Sequence, residues 1–342
     1  MNIIMTTSRE IHLKNRPIGL PSTEDFELVE VTLPSLGIGD VLVRNDWMSV
    51  DPAMRGRMLD AKSYKPPFQI DAALEGPAIG HVIASNDPSL KVGDIVSSDF
   101  GWRDSFVAPA SKVEKLDVGD LPPQAFIGVA GMPGLTAYVG LLRIAELKEG
   151  DVVFVSAASG AVGSLVCQIA KLKGHKVIGS AGGPEKCAYL KDDLGLDEVI
   201  DYKAVPSLTK ALAQAAPEGI DIYFDNVGGE HLQAAIAIAN RFARFAICGM
   251  ISQYNLTSAP YVPRNLVLIM GKALRLQGYI VSFHDDMKPA FREDIAKWHS
   301  EGKLKWKESV LHGLENAPDA LIGLFKGQNF GKMLVKLTPD TE

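Results

Sequence analysis

Cysteine is nearly absent from this sequence: Cys167, Cys187 and Cys248 are the three in a chain of 342 residues. An odd, scattered set excludes a disulfide framework and points to reduced thiols in a cytoplasmic protein. Their spacings suit no zinc site, so they read as small buried hydrophobes. Positive charge is in deficit as well. Lysine and arginine number 35 against 41 aspartates and glutamates, a net charge of −6, which gives no footprint for nucleic acid or an anionic membrane. Long apolar runs are missing too. The opening "MNIIMTTSREIHLKNRP" has no signal-peptide core, and runs such as "LVLIM" at 266–270 fall far short of a bilayer span. No G-x-S-x-G elbow occurs, so hydrolase chemistry has no support. What remains, 46% hydrophobic and 22% charged residues, is ordinary for a globular protein, and the length predicts two domains.

The grain of the chain changes twice. Residues 1–125 read as short strands ("FELVEVTLP", "DVLVRNDWMSV", "AIGHVIAS", "DIVSSDF") between Gly-Asp and proline-rich turns. Val41 and Val43 fall on one face of their strand, Leu42 and Arg44 on the other, which suits a half-buried antiparallel sheet. The expected architecture is a partly open barrel. Over 126–303, apolar strands ("VVFVS", "KVIGSA", "EVIDY", "DIYFDNV", "RFAICG") alternate with helical segments, a rhythm that predicts an α/β domain with a doubly wound parallel sheet. Residues 304–342 return to short elements ending in the alternating strand "GKMLVKL", which needs a sheet to join. The tail is therefore expected to rejoin the first domain.

Within the α/β region, "VVFVS-AASGAVG-SLVCQIAKLKG" has the strand–loop–helix context of a dinucleotide loop. Gly160 lets the backbone approach a pyrophosphate, and Gly163 lets the helix pack closely on the strand. The free N–H groups of the helix's first turn, at Ala161, Val162 and Gly163, then face the anion. Ala158 stands where the first glycine usually does, acceptable if the turn needs no positive φ there. The next strand ends "SAGGPEK", with no carboxylate to accept the ribose 2′-OH of NAD. That absence, with Lys186 close by, favours a 2′-phosphate and hence NADP(H). The bland readings are a structural turn and a solvated lysine.

Metal chemistry finds few ligands. "GPAIGHV" (76–82) has the Gly-His pair of zinc alcohol dehydrogenases, but Val82 replaces the glutamate that follows there, and no cysteine precedes Cys167. His81 is expected to be a packing residue, and no metal site is expected. A nicotinamide cofactor without a metal suits hydride transfer to an acceptor needing little Lewis-acid help, either a C=C bond conjugated to a carbonyl or a quinone.

Six ordered blocks carry a family resemblance: "SVDPAMRGRM" (49–58), "GMPGLTAY" (131–138), "AASGAVGSLVCQIAKLKG" (157–174), "DIYFDNVGG" (221–229), "CGMISQYN" (248–255) and "GQNFGKMLVK" (327–336). The chain resembles the zinc-free medium-chain dehydrogenase/reductases, in the leukotriene/prostaglandin reductase and alkenal double-bond reductase branch that includes bacterial curcumin reductase. The resemblance implies a GroES-like barrel on the substrate side of a Rossmann domain that binds NADP(H). It implies that Gly160–Gly163 hold the pyrophosphate, that Lys186 and Tyr202 meet the 2′-phosphate, and that Asn226 lies near the ribose. Cys248, Gly249, Met250, Ile251, Ser252, Gln253 and Tyr254 would line the nicotinamide end, with Ile280, Val281 and Ser282 near its carboxamide. Thr136, Asn329 and Pro52 match further positions beside the cofactor.

The activity implied is NADPH-dependent reduction of α,β-unsaturated aldehydes and ketones. Tyr254 is the candidate catalytic residue: hydride arriving at the β-carbon puts negative charge on the carbonyl oxygen, and a neutral phenol can donate a hydrogen bond to it. A ribose-binding or packing role is its alternative. Quinone reduction on the same scaffold and a non-catalytic NADPH-binding protein remain open. In the "DPxMR" block Ala53 replaces a tyrosine found in many members, which implies a larger, more apolar pocket. Arg55 and Arg57 are expected in structural salt bridges, with an acidic substrate as the other possibility. By analogy with relatives, a homodimer is expected, with "LRLQGYIV" (274–281) as the candidate edge strand.

Overall fold

The computed structural model describes residues 6–338. These residues form two compact units, one from residues 6–128, 308–329 and 333–338, the other from 129–307 and 330–332.

The first unit is mostly β. Its early strands are β1 (Thr7–Leu13), β2 (Phe26–Thr32), β3 (Asp40–Ser49), β4 (Ala78–Ser85), β5 (Ile95–Ser98), β6 (Ser105–Pro109) and β7 (Glu114–Lys115), with a short helix α1 (Met54–Arg57). β1 and β2 form a separate antiparallel pair. β3 is the hub of the larger sheet: it pairs antiparallel with β4, β6 and the late strand β15 (Lys332–Lys336), whose outer neighbour is β14 (Glu308–His312). So "GKMLVKL" does find a sheet. The alternation in β3 is as expected at its ends, with Val41 and Val43 fully buried and Arg44 exposed, but Leu42 is also buried. Register shifts near Leu42 and Asn45 bend the strand, so that its two halves serve different clusters.

Three polar residues singled out in the sequence have structural partners in this unit. Arg55, buried, donates to the carbonyls of Pro17 and Gly19. Arg57 pairs with Glu75 at 2.6 Å and lies over the Phe68 ring. His81 Nδ1 is hydrogen-bonded to the Asp46 carboxylate.

The second unit is a six-stranded parallel sheet built from β8 (Val152–Val155), β9 (Lys176–Ala181), β10 (Glu198–Asp201), β11 (Ile220–Asp225), β12 (Ala239–Ile247) and β13 (Arg275–Gly278). The strands lie in the order β10-β9-β8-β11-β12-β13. Its helices are α2 (Met132–Val139), α3 (Ala161–Leu172), α4 (Pro184–Ala188), α5 (Leu208–Ala215), α6 (Gly229–Ile238), α7 (Leu268–Lys272) and α8 (Lys288–Ser300); α9 (Ala317–Phe325) belongs to the first unit. The central strands are apolar on both faces, as the continuous runs predict: Val153, Phe154 and Val155 of β8 and Ile222, Tyr223 and Phe224 of β11 are fully buried. Each such side chain contributes about 1.5–3 kcal/mol of transfer free energy. On α3, Leu165, Val166 and Ile169 are buried against the sheet, and Cys167 is buried with them. The strand order reverses between β8 and β11, and the crevice beyond their C-terminal ends is where such sheets bind ligands.

Candidate functional site

The loop after β8 turns sharply. Ala157 has a φ of 47°, the left-handed region that costs a non-glycine residue about 1–2 kcal/mol. Ala158, in the place of the usual first glycine, keeps negative φ, so the strain falls one residue earlier. Its N–H donates to Ser180 O of β9 at 2.9 Å, tying the loop to the neighbouring strand. A methyl on Gly163 would stand 2.4 Å from Ala157 O and 2.9 Å from Ala158 Cα, so close packing of α3 on the loop requires glycine there. Gly160 is the N-cap of α3 and caps it with no side-chain hydrogen bond. The amides of Ala161, Val162 and Gly163 thus open a twelve-residue helix without an intrahelical acceptor, the donor set an anionic diphosphate requires. The segment 330–332 closes the other side: Gly331 N donates to Ser159 O at 3.1 Å, and Gly331 bridges Gly160.

At the end of β9 the expected absence of a carboxylate holds, and more is present than the sequence suggested. Lys186 lies half-buried on α4, and Tyr202 follows β10. A methyl on Gly182 would meet Tyr202 Oη at 2.9 Å, so the tyrosine folds over the glycine turn that leads to Lys186. Burial is the first cause and the charge of Lys203 the second that lower the Lys186 pKa from its ordinary value. The nearby acid, Asp201, has its carboxylate occupied by the N–H groups of Gly183 (3.1 Å) and Lys203 (3.0 Å).

The crevice floor is organised by Asp225, the fully buried last residue of β11. Its Oδ1 accepts from Tyr223 Oη at 2.7 Å and from the N–H groups of Val227 and Gly228 at 2.9 and 2.7 Å. Burial raises its pKa above the ordinary carboxylate value, and these donors oppose the rise. Its backbone oxygen accepts from Cys248 N and Gly249 N at 2.9 and 3.0 Å. Asn226 then spans the switch point, donating from Nδ2 to Ser156 O at 2.7 Å and accepting from Ile251 N at 3.3 Å. Ser252 is held by Val227 O. The run Cys248–Tyr254 is therefore laced onto the end of β11.

Within that run, Met250 N–H donates to the Tyr254 hydroxyl oxygen at 3.2 Å, and a methyl on Gly249 would touch the same oxygen at 2.9 Å. The phenol is thereby placed over its own loop. Cys248 is not a nucleophile candidate: burial pushes its thiol up to about 12. Cys167 is pushed higher still by complete burial. The Cys248 thiol meets the hydroxyl of Tyr279, which donates to Thr136 O at 2.8 Å. Tyr279 so links α2, the Cys248 loop and the segment that begins at Ile280 and continues through Val281 and Ser282.

Asn226 is tied to the Cys248–Tyr254 run and, through Ser156, to the strand that leads into the Gly160–Gly163 loop. Tyr202 lies over the glycine turn that precedes Lys186, and Tyr279, just before Ile280–Ser282, donates to Thr136 O. Pro52 and Asn329 lie in the first unit, Pro52 just before α1 and Asn329 after α9, and Ala53 is exposed at the start of α1. Sequence reasoning missed Lys203, the Asp225 network and the 330–332 segment. Among the described residues, no group of three or more His, Cys, Asp or Glu is placed to hold a metal. Among the described residues, no helix is long and apolar enough to cross a membrane.

Comparison with known proteins gives the following. Residues 9–116 match the family described as the N-terminal domain of oxidoreductase, and residues 161–296 the family described as zinc-binding dehydrogenase. The putative NADP-dependent oxidoreductase YfmJ of Bacillus subtilis is 46% identical, covering 98% of this chain and 99% of its own. The 2-alkenal reductase (NADP(+)-dependent) of Nicotiana tabacum is 41% identical, covering 97% and 98%. The crystal structure of CurA in complex with NADPH from Vibrio vulnificus superposes with a TM-score of 0.91 at 44% identity, covering 97% of this chain and 99% of that one.

Proposed function

The chain belongs to the medium-chain dehydrogenase/reductase family, in the branch of the prostaglandin and alkenal reductases, and from that membership and the geometry of the site we propose that it binds NADPH and reduces the C=C bond of α,β-unsaturated aldehydes and ketones. The observation that carries this reading is the uncapped first turn of α3 beside a strand end that offers Lys186 and Tyr202 in place of a carboxylate. The similarity to an NADP(+)-dependent 2-alkenal reductase and to an NADPH-bound structure supports it.

In this reading the amides of Ala161–Gly163 receive the pyrophosphate, and Lys186 and Tyr202 the 2′-phosphate. Asn226 lies toward the ribose. The run Cys248–Tyr254 lines the nicotinamide end, with Ile280–Ser282 and Thr136 nearby. When bound there, NADPH would supply the hydride for the substrate β-carbon. Tyr254 acts on the other end of the conjugated system, donating from its hydroxyl to the carbonyl oxygen as negative charge collects there. The Met250 N–H fixes the phenol oxygen and polarises its O–H, which strengthens that donation. The α-carbon takes its proton from solvent.

Two further features belong to the proposal. The free thiols Cys167, Cys187 and Cys248 suit a cytoplasmic setting. The exposed edge of the parallel sheet at β13 suits a homodimer.

The test is a steady-state screen that follows NADPH consumption with enals, enones and quinones. Enals and enones are expected to be the better acceptors; quinones turned over faster would replace the reading with quinone reduction. Tyr254→Phe is expected to lower kcat on enones by about 10²–10³, the usual weight of one oxyanion donor, with the KM for NADPH nearly unchanged. Wild-type turnover in that variant would remove the donor role.

A further inference from the structure

Two side chains from the end of β10 fold over the glycine pair that follows β9. A methyl built on Gly182 would meet Cε of Lys203 at 2.8 Å as well as the hydroxyl of Tyr202 at 2.9 Å. Lys203 thus lies over the same turn that leads into Lys186, although the two lysines are far apart in sequence. Asp201 fixes the arrangement, because one carboxylate oxygen accepts from the N–H of Gly183 on one side and of Lys203 on the other. The lysines are close enough that the charge of Lys203 disfavours a charged Lys186. Two like charges gathered at one turn, in a protein of net charge −6, repel each other, and a dianion between them turns that repulsion into attraction. Tyr202 adds a hydroxyl donor to the same spot.

We propose that Lys203 is a specificity-determining residue which, with Lys186 and Tyr202, binds the 2′-phosphate of NADPH, and that Gly182 is bare because any side chain there would push Tyr202 and Lys203 off the phosphate. The proposal rests on the NADPH reading above and deepens it. Lys203 is exposed, so its attraction is partly screened, and the preference for the phosphorylated nucleotide weakens as salt rises.

Adenosine 2′,5′-bisphosphate and 5′-AMP serve as probes, titrated calorimetrically into the full chain and into Lys203→Gln, a surface change that leaves the core untouched. The variant is expected to lose about tenfold in affinity for the bisphosphate, the weight of one charge-assisted contact, and to bind 5′-AMP within twofold of wild type. Its bisphosphate affinity is also expected to depend less steeply on salt. If the wild type prefers the bisphosphate and the variant keeps that preference undiminished, Lys203 does not read the phosphate, although the NADPH reading stands. Equal losses for both nucleotides would make Lys203 a structural residue and overturn the proposal. A wild type that does not distinguish the two probes would overturn both readings together.

Discussion

Gly160 and Gly163 sit in one loop and lack a side chain for different reasons. At Gly163 a methyl meets backbone 2.4 Å away, so Gly163→Ala must displace the loop; it is expected to cost roughly 1–3 kcal/mol of stability. At Gly160 the added methyl's nearest neighbour is Ala157 O at 3.2 Å, and φ is −79°, a conformation any residue adopts. Gly160→Ala should therefore melt close to wild type yet bind NADPH at least tenfold more weakly, because the methyl occupies the approach to the pyrophosphate. Thermal unfolding and nucleotide titration on both variants check the contrast, and a Gly160→Ala protein that binds normally would show that the backbone does not approach the ligand there. These glycines and Lys186 were legible as candidates because their pattern is local: strand, loop, helix, and the end of the next strand. Lys203 was not, since a lysine after a strand looks like any solvated lysine until the fold lays it over Gly182. The hold of Asp225 on the Cys248 loop depends on which strands are neighbours, and no spacing along the chain records it.

At the scale of the element, α6 carries a titratable group that the dinucleotide pattern does not require. His231 is buried, its Nε2 has no hydrogen-bond partner among the described residues, and its ring packs edge-on against Tyr202 with centroids 5.2 Å apart. Burial pushes its pKa down to about 4. Between its unfolded value near 6.5 and that folded value, the unfolded chain takes up a proton that the native one refuses. Stability therefore falls as pH drops through this window. His231→Phe keeps a ring against Tyr202 and removes the proton. Urea unfolding should then show the variant gaining about 2–3 kcal/mol on wild type between pH 7 and pH 4.5; parallel pH profiles would show that His231 is not the group responsible. Strands were the more readable elements. Continuous apolar runs such as "VVFVS" predicted the buried β8, and its place in the parallel sheet followed from the alternation with helices. The bend of β3 was hidden, because the register shifts that produce it arise from pairing with β4.

For the whole molecule, the fold class was legible because two rhythms, short strands with turns and strands alternating with helices, occupy different stretches of sequence. Assembly is less so. β13 stands at the edge of the parallel sheet, and the chain on either side of it exposes Val267, Met270 and Phe283 at 65%, 77% and 73%. Apolar side chains flanking an open sheet edge are what a second copy would cover. Analytical ultracentrifugation is expected to give twice the monomer mass, and Met270→Lys combined with Phe283→Lys to give the monomer. A monomeric wild type would remove the dimer from the proposal.

The short return of residues 330–332 to the second unit means that the nucleotide fold is not a contiguous cassette. A gene fragment ending at codon 307 would be translated without the residue that hydrogen-bonds Ser159 and bridges Gly160. Chimaeras that exchange this unit between relatives must carry the tail along with it.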